Sequence, residues 1–338
     1  MKIGIHNSNT AYSKRWIEYC QLNNIEYVVV DAYGDSIIRD LKGCDVFLWH
    51  HHHGLYKDVN IAKQLLFSLE QAGVQVFPNF NTGWHFDDKL GQKYLFEAND
   101  IPAAQAFAFY DKKSALRWAN STTFPKIFKL RGGAGSANVK MVKSKKQAER
   151  LIKQAFGKGF KAFDYFGLAK DKFKLFLKGK ASIRAAVRYT LMGLFPRRYE
   201  SHLLPDHKGY IYFQEFIPND GYDIRIEITG DKALALTRMT REGDFRASGS
   251  NNVIYDTDLL NKEVIDFAFT VADKLQLQSC ALDIVRDQRD GKLYIIENSY
   301  CYGVDEDEFD HGYWTRDGVH HKEVKFNGLD WIVELFKK

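Results

Sequence analysis

Apolar and polar positions follow two rhythms through the first 80 residues. Short runs rich in β-branched and aromatic residues, at 2–6, 26–30, 45–49 and 74–77, read as strands. Between them, at 12–22 and 61–71, apolar residues recur every three to four positions and predict amphipathic helices, with a shorter helix near Ser36. This βα alternation predicts a small parallel sheet covered by helices, with its strand ends facing a ligand crevice. Residues 87–99 read as a further helix with Leu90, Tyr94, Leu95 and Ala98 on one face, stopped by Ile101 and Pro102.

A second unit begins near Gln105. It holds a strand, a helix over 112–119, a strand over 125–130, a glycine-rich turn at 131–136, a strand over 138–142 and a helix over 145–156. After residue 208 the pattern changes. Strands at 210–216, 222–229 and 232–240 follow one another, with Gly230 and Asp231 as a tight hairpin turn. A helix over 259–275 and strands at 279–286 and 292–297 complete an α+β unit with antiparallel pairing, and no internal repeat is present. The expected division is a βα domain at 1–85, a subdomain with the glycine loop at 86–156, an insertion at 157–208, a second subdomain at 209–304 and a tail with a helix at 305–338.

A chain of 338 residues exceeds what one hydrophobic core serves, so two or three packed units are expected. Composition excludes collagenous, low-complexity and disordered classes: 45% of residues are hydrophobic, 27% charged, and only 6 are Pro. Cys20, Cys44, Cys280 and Cys301 are far apart and form no metal-ligand spacing, which favours a reduced, cytoplasmic protein. No apolar run suits a signal peptide or a membrane span, so the expectation is neither secreted nor integral. The net charge of +5 hides an uneven distribution. Residues 158–208 carry eight Lys and four Arg against four acids, whereas 305–310 carry five acids.

Three groups of residues could carry chemistry. The strand ending in Lys129 runs into Arg131, Gly132, Gly133, Ala134, Gly135 and Ser136. Glycines let backbone N–H groups approach an oxyanion, and a lysine beside them supplies a point charge suited to phosphate. The spacing is neither GxxxxGK[ST] nor GxGxxG, and a plain hairpin turn competes with phosphate binding. Next, Asp283 and Glu297 lie on strands paired across the 287–291 turn, and two hard carboxylates beside Asn298 and Ser299 suit Mg²⁺ with phosphates and water. Finally, strand alternation puts Asp223 and Arg225 on one face, and Arg241, Arg246, Ser248, Ser250, Asn251 and Asn252 follow. Such a cluster suits a polyanion or a developing oxyanion, with a surface ion-pair lattice as the plainer reading.

In this order, with Asp88 and Lys89 at a helix start, Gln214, Glu215, Phe216 and Ile217 at a strand end, and the 242–246 run Glu-Gly-Asp-Phe-Arg, these residues resemble the ATP-grasp superfamily. The branch they are most similar to contains the carboxylate–amine ligases related to glutathione synthetase and ribosomal-protein glutamate ligase. The resemblance spans roughly residues 80–305. It implies an ATP-grasp fold with a preceding N-terminal parallel βα domain, and a ligase that uses ATP and Mg²⁺ to join a carboxylate to an amine through an acyl phosphate. Lys89, Lys129, Gly132, Gly133, Gly135 and Ser136 would contact phosphates, and Gln214, Glu215, Phe216 and Ile217 would form the adenine hinge. Arg225 and Arg246 would be catalytic, near the γ-phosphate and substrate carboxylate, and Asp283, Glu297 and Ser299 would hold the metal. Many relatives carry Glu-x-Asn at the metal strand. Here the second position after Glu297 is Ser299, which leaves the third ligand open between Ser299 and water.

Residues 85–89, 131–139, 245–250 and 312–314 also resemble a narrower ATP-grasp set linked to bacterial surface-polysaccharide synthesis. That similarity implies amide formation on a uronic acid or glycan precursor. A phosphotransferase on the same scaffold and a non-catalytic, nucleotide-dependent binder of an acidic polymer are the alternatives. Four consecutive histidines, His50 to His53, offer metal ligands or a substrate-facing loop. In the insertion, Ile183, Val187, Leu191 and Leu194 mark an apolar helix face with Arg184 and Arg188 beside it. This helix either packs on the nucleotide unit or docks on an anionic polymer, lipid-linked glycan or membrane surface, the last giving peripheral attachment at the inner membrane. No recognised motif accompanies the charge, which argues against nucleic acid.

Overall fold

The computed structural model describes the chain except for residues 133–138, 178, 180–181, 196–197, 200–202, 241–243, 248–251, 257, 323 and 338. The N-terminal sheet is parallel throughout, in the order Glu26–Val30, Lys2–His6, Val46–Leu48, Gln75–Phe77. Ile3, Ile5, Val46 and Leu48 are buried because helices cover both faces. Trp16 of the helix Ala11–Leu22 seals one side, and Ala62 and Leu66 of the helix Tyr56–Gln71 pack with Phe47 and Trp49 on the other.

The strand order reverses between Lys2–His6 and Val46–Leu48, so the loops after these strands meet at a topological switch point. There the ring of Tyr12 stacks on that of His50 at 3.9 Å. The helix predicted to begin at residue 61 starts at Tyr56. Its first turn carries no apolar signal because the inward residue is Asp58, which accepts the His52 N–H at 2.6 Å.

The second sheet is antiparallel, in the order Ala106–Phe109, Ile211–Glu215, Lys126–Lys129, Lys140–Val142. Small residues let two helices lie close to it: Ala115 and Ala119 of Lys112–Ser121, and Ala148 and Ala155 of Lys145–Ala155, pack around Phe128 and Phe213. The strands Lys126–Lys129 and Lys140–Val142 bracket the glycine-rich loop, as the sequence pattern predicts.

The third sheet runs Leu293–Ser299, Ser279–Arg286, Tyr222–Thr229, Lys232–Met239, Tyr313–Thr315, His320–His321, with Val253–Ile254 beside Lys232–Met239. Its core face is set by alternation. Ile224, Ile226 and Ile228 turn toward Val264, Ala268 and Phe269 of the helix Lys262–Lys274, so Asp223, Arg225 and Glu227 face the other way. Gly230, at φ +63°, supplies the left-handed residue of the hairpin turn. The C-terminal helix Asp330–Glu334 returns to the first unit, where Leu329, Ile332 and Val333 join Ile3, Ile5 and Trp16 in one cluster. Arg15 grips Asp330 there through two 2.6 Å hydrogen bonds. Between the second sheet's strands, helices Tyr165–Leu177 and Ile183–Leu194 form an antiparallel pair packed on each other.

Candidate active site

The polar face of the third sheet and the two central strands of the second, Ile211–Glu215 and Lys126–Lys129, enclose a pocket of about 350 Å³. Both predicted lysines, the 214–217 segment, both predicted arginines and the three predicted oxygen donors line it. Gly132 lines a neighbouring cavity instead, and Gly133, Gly135 and Ser136 lie outside the described residues, as do Arg241, Ser248, Ser250 and Asn251.

The pocket's shape depends on a β-bulge. Asp283 pairs with Glu297, but the next pair is Ile284 with Ile295, which leaves Ile296 as the extra residue. Its carbonyl turns to accept Lys129 Nζ at 3.2 Å and Gln214 Nε2 at 3.4 Å, tying the third sheet to the second. The same bulge lets Ile296 and Glu297 both line the pocket. Beyond it Ser299 faces the pocket, while Asn298 is buried behind the strand, where its backbone is clamped by Gln92.

The two lysines stand in different electrostatic settings. Lys89 follows the helix cap Asp88 and reaches Glu297 at 3.0 Å and Asp87 at 3.2 Å. Burial disfavours its charge, but Glu297 and Asp87 outweigh that cost and hold the ammonium above its usual range. Lys129 is as deeply buried, yet no carboxylate among the described residues lies within ion-pair distance of its Nζ. Burial therefore lowers its pKa, with Glu297 only partly opposing the shift. An arriving phosphate would relieve that cost.

Opposite the lysines is a buried quartet. Arg225 donates to Asp283 through Nε at 2.8 Å and Nη2 at 3.1 Å. Arg238 reaches Asp283 at 2.9 Å and forks onto Asp223 with two 2.7 Å bonds. Burial pushes the Asp283 carboxyl up, but Arg225 and then Arg238 outweigh it and hold it well below the carboxylate range. Arg246 is pinned by Asp244, with Nη2 to Oδ2 at 2.6 Å.

At the other end, Ile127, Ile217, Val285 and Ile296 form an apolar slot. Glu215, the last residue of the strand Ile211–Glu215, is held by Lys126 at 2.7 Å and its N–H by the Gln105 carbonyl at 2.8 Å, and beyond it come half-buried Phe216 and buried Ile217.

The donor set suits Mg²⁺. Glu297 keeps a partly exposed side chain, Asp283 has oxygen lone pairs beyond those taken by the guanidinium groups, and Ser299 adds a neutral oxygen. Among the described residues no three His, Cys, Asp or Glu side chains converge to hold a metal by themselves. One or two carboxylates completed by phosphates and water is the arrangement Mg²⁺ adopts with nucleotides.

Two participants escaped the sequence reading. Asp87 orients Lys89, and its left-handed backbone, φ +51°, is unusual for a non-glycine residue. Arg238 was foreshadowed by the hairpin: counting outward from the turn at Gly230 and Asp231 places it opposite Asp223. The histidines also pack differently from an alternating segment. His50 and His51 are both buried, and His52 stacks on His53 at 4.3 Å. Beside His52 and His53 a second cavity of about 460 Å³ reaches Asp87, Arg131 and the base of the insertion at Phe163 and His207.

Comparison with known proteins places this geometry. Residues 198–310 match the RimK-like ATP-grasp domain. Over 233 residues, the chain is 26% identical to tetrahydromethanopterin:alpha-L-glutamate ligase of Methanosarcina acetivorans, covering 69% of this chain and 60% of that protein, less than two thirds of its length. A RimK domain ATP-grasp protein of Sphaerobacter thermophilus superposes with a TM-score of 0.53 over 90% of this chain and 92% of its own, at 13% identity. The biotin carboxylase domain of the Hydrogenobacter thermophilus 2-oxoglutarate carboxylase, solved with MgADP, gives 0.58 over 98% of this chain and 68% of its own, at 13% identity.

Proposed function

We propose that this chain, which has the ATP-grasp fold, is an ATP-dependent carboxylate–amine ligase. The observation that carries the reading is the meeting in one pocket of an apolar slot, the two buried lysines and the Asp283–Glu297 pair. Adenine fits the slot beside Phe216 and Ile217, and the phosphates extend toward Lys129 and Lys89. Mg²⁺, held by Glu297, Asp283 and Ser299, would neutralise phosphate charge when bound.

The chemistry proceeds in two displacements. An acceptor carboxylate oxygen attacks the γ-phosphorus, the bond to the β-phosphate oxygen breaks, and ADP leaves with the bonding pair. Lys129 and Lys89 offset the charge spread over the transferring oxygens. An amine nitrogen then attacks the carbonyl carbon of the acyl phosphate, loses a proton and expels phosphate. Arg225 and Arg246 orient the carboxylate, and Arg246 also stabilises the tetrahedral oxyanion. Activation is required because a free carboxylate is a poor acylating agent.

The acceptor class suggested by the sequence resemblance is a uronic acid or glycan precursor, and the second cavity next to Asp87 and Arg131 is where it would extend. The test mixes protein, Mg-ATP and paired carboxylates and amines, reading ADP release and product mass. Amide product with one ADP per bond supports the ligase. Phosphate retained on the product would replace it with a phosphotransferase, and activity confined to amino-acid pairs would overturn the glycan assignment.

A further inference from the structure

The helix pair of the insertion leaves its apolar faces without a partner. On Ile183–Leu194, the residues Ile183, Val187, Leu191 and Leu194 fall within one stripe, and all four are exposed, Leu194 at 59%. On Tyr165–Leu177, Phe166, Phe173 and Leu177 form a second stripe, with Leu177 at 68% exposed. The two helices meet at Phe166, which borders the second stripe, and on their small-residue faces. The Phe166 ring lies against Gly193, where a Cβ would come within 2.9 Å of it, and Ala169 and Ala186 are buried. Ile183, Val187, Leu191 and Leu194 on one helix and Phe173 and Leu177 on the other stay exposed beyond that seam, covered neither by the partner helix nor by the nucleotide unit.

Exposed apolar area of this extent calls for an occupant, and charge indicates which. Residues 165–198 carry nine Lys and Arg against one acid. Arg184 and Arg188 flank the Ile183 stripe, and Lys170 lies along the Phe166 stripe, where its stem can lie on apolar surface while its ammonium stays at the headgroups. A second copy of the chain would bring the same cations face to face, which opposes self-association. No helix among the described residues is long and apolar enough to cross a membrane, so contact through these stripes is peripheral. Helices of about 20 Å with apolar stripes bordered by Lys and Arg match the interface of a negatively charged bilayer.

We propose that the helix pair seats this protein on an anionic membrane surface. Its base, at Phe163 and His207, lines the cavity that adjoins Asp87 and Arg131, so docking brings the acceptor side of the candidate site next to the bilayer.

The experiment is co-sedimentation of the full chain with vesicles of phosphatidylcholine alone and of phosphatidylcholine mixed with phosphatidylglycerol, at low and high salt. Binding is expected to the mixed vesicles only, and to weaken with salt. The double variant V187D/L191D should lose more than about tenfold in partitioning through lost apolar insertion. Arg184→Glu with Arg188→Glu should lose roughly fivefold or more per residue. All four positions are exposed, so nucleotide binding and the thermal midpoint serve as unchanged controls. Equal binding to neutral vesicles, no vesicle binding, or a concentration-dependent dimer that V187D/L191D dissolves would each overturn the proposal.

Discussion

Arg238→Met is the sharpest test of the buried charge lattice behind the pocket. Arg238 is about nine-tenths buried and makes two 2.7 Å bonds to Asp223 and one 2.9 Å contact to Asp283. Asp283 keeps Arg225 in the variant, but Asp223, 5% exposed, loses both of the hydrogen bonds it accepts from Arg238. Removing one partner of a buried pair costs about 3 to 5 kcal/mol because a charge stays behind unpaired. Urea denaturation followed by the fluorescence of the 6 tryptophans should report that loss at neutral pH. Adding Asp223→Asn should recover about 1 to 2 kcal/mol by removing the orphaned charge. The pH dependence has a definite sign. Burial already raises the Asp223 carboxyl despite Arg238, and the variant raises it further. The folded variant then binds a proton that the unfolded chain does not, so the penalty narrows as pH falls, by up to about 1.4 kcal/mol per unit below the variant's carboxyl pKa. A neutral-pH loss below about 1 kcal/mol, or a penalty independent of pH, would refute the assignment of Asp223 as a charge held by Arg238.

Further expectations concern the site and its surroundings. Lys129→Ala and Glu297→Ala should each lower turnover on the order of 10²-fold in an ADP-release assay, since each removes a charge-assisted contact; near-normal release in either would count against the site. Chelation of Mg²⁺ should abolish ADP release, and Mg²⁺ readdition should restore it. Burial pushes His50 down to about 3 and His85 down to about 4, so both stay neutral in the folded protein. Unfolded histidine titrates near 6.5, hence the unfolded chain takes up protons first and stability falls as pH drops below that value, by about 2 kcal/mol per ring at pH 5. Denaturation midpoints measured between pH 7.5 and 5 check this, and His85→Gln should flatten the profile.

The elements legible in the sequence are those whose signal is local. The strands Lys2–His6, Glu26–Val30, Tyr222–Thr229 and Ser279–Arg286 have the bounds that their apolar runs predict, because pleated alternation is written residue by residue. The hairpin at Gly230 even fixes register, and with it the pairing of Asp223 with Arg238. What stayed hidden depends on distant parts of the chain. Nothing near Glu297 announces that a bulge at Ile296 will deliver a carbonyl to Lys129, since Lys129 arrives from another sheet. Asp283 illustrates the same limit: its type and strand position suggest a metal ligand, while its two arginine partners come from the adjacent strand and from the one beyond it and make it part of a charge lattice.

The insertion marks the boundary between these two kinds of information. Periodicity places Ile183, Val187, Leu191 and Leu194 on one helix face, and the helix Ile183–Leu194 bears this out. Periodicity says only that such a face needs covering, because the same stripe serves a core, a partner or a bilayer. Its outward exposure, with a neighbouring helix exposing a second stripe, excludes the first of these for the chain alone. The surplus of cations around both stripes then selects among the remaining two. The mild overall charge of +5 is thus the sum of a strongly basic insertion and a nearly balanced remainder, and on the proposed reading the two should respond to salt independently: vesicle partitioning steeply, soluble-substrate turnover weakly.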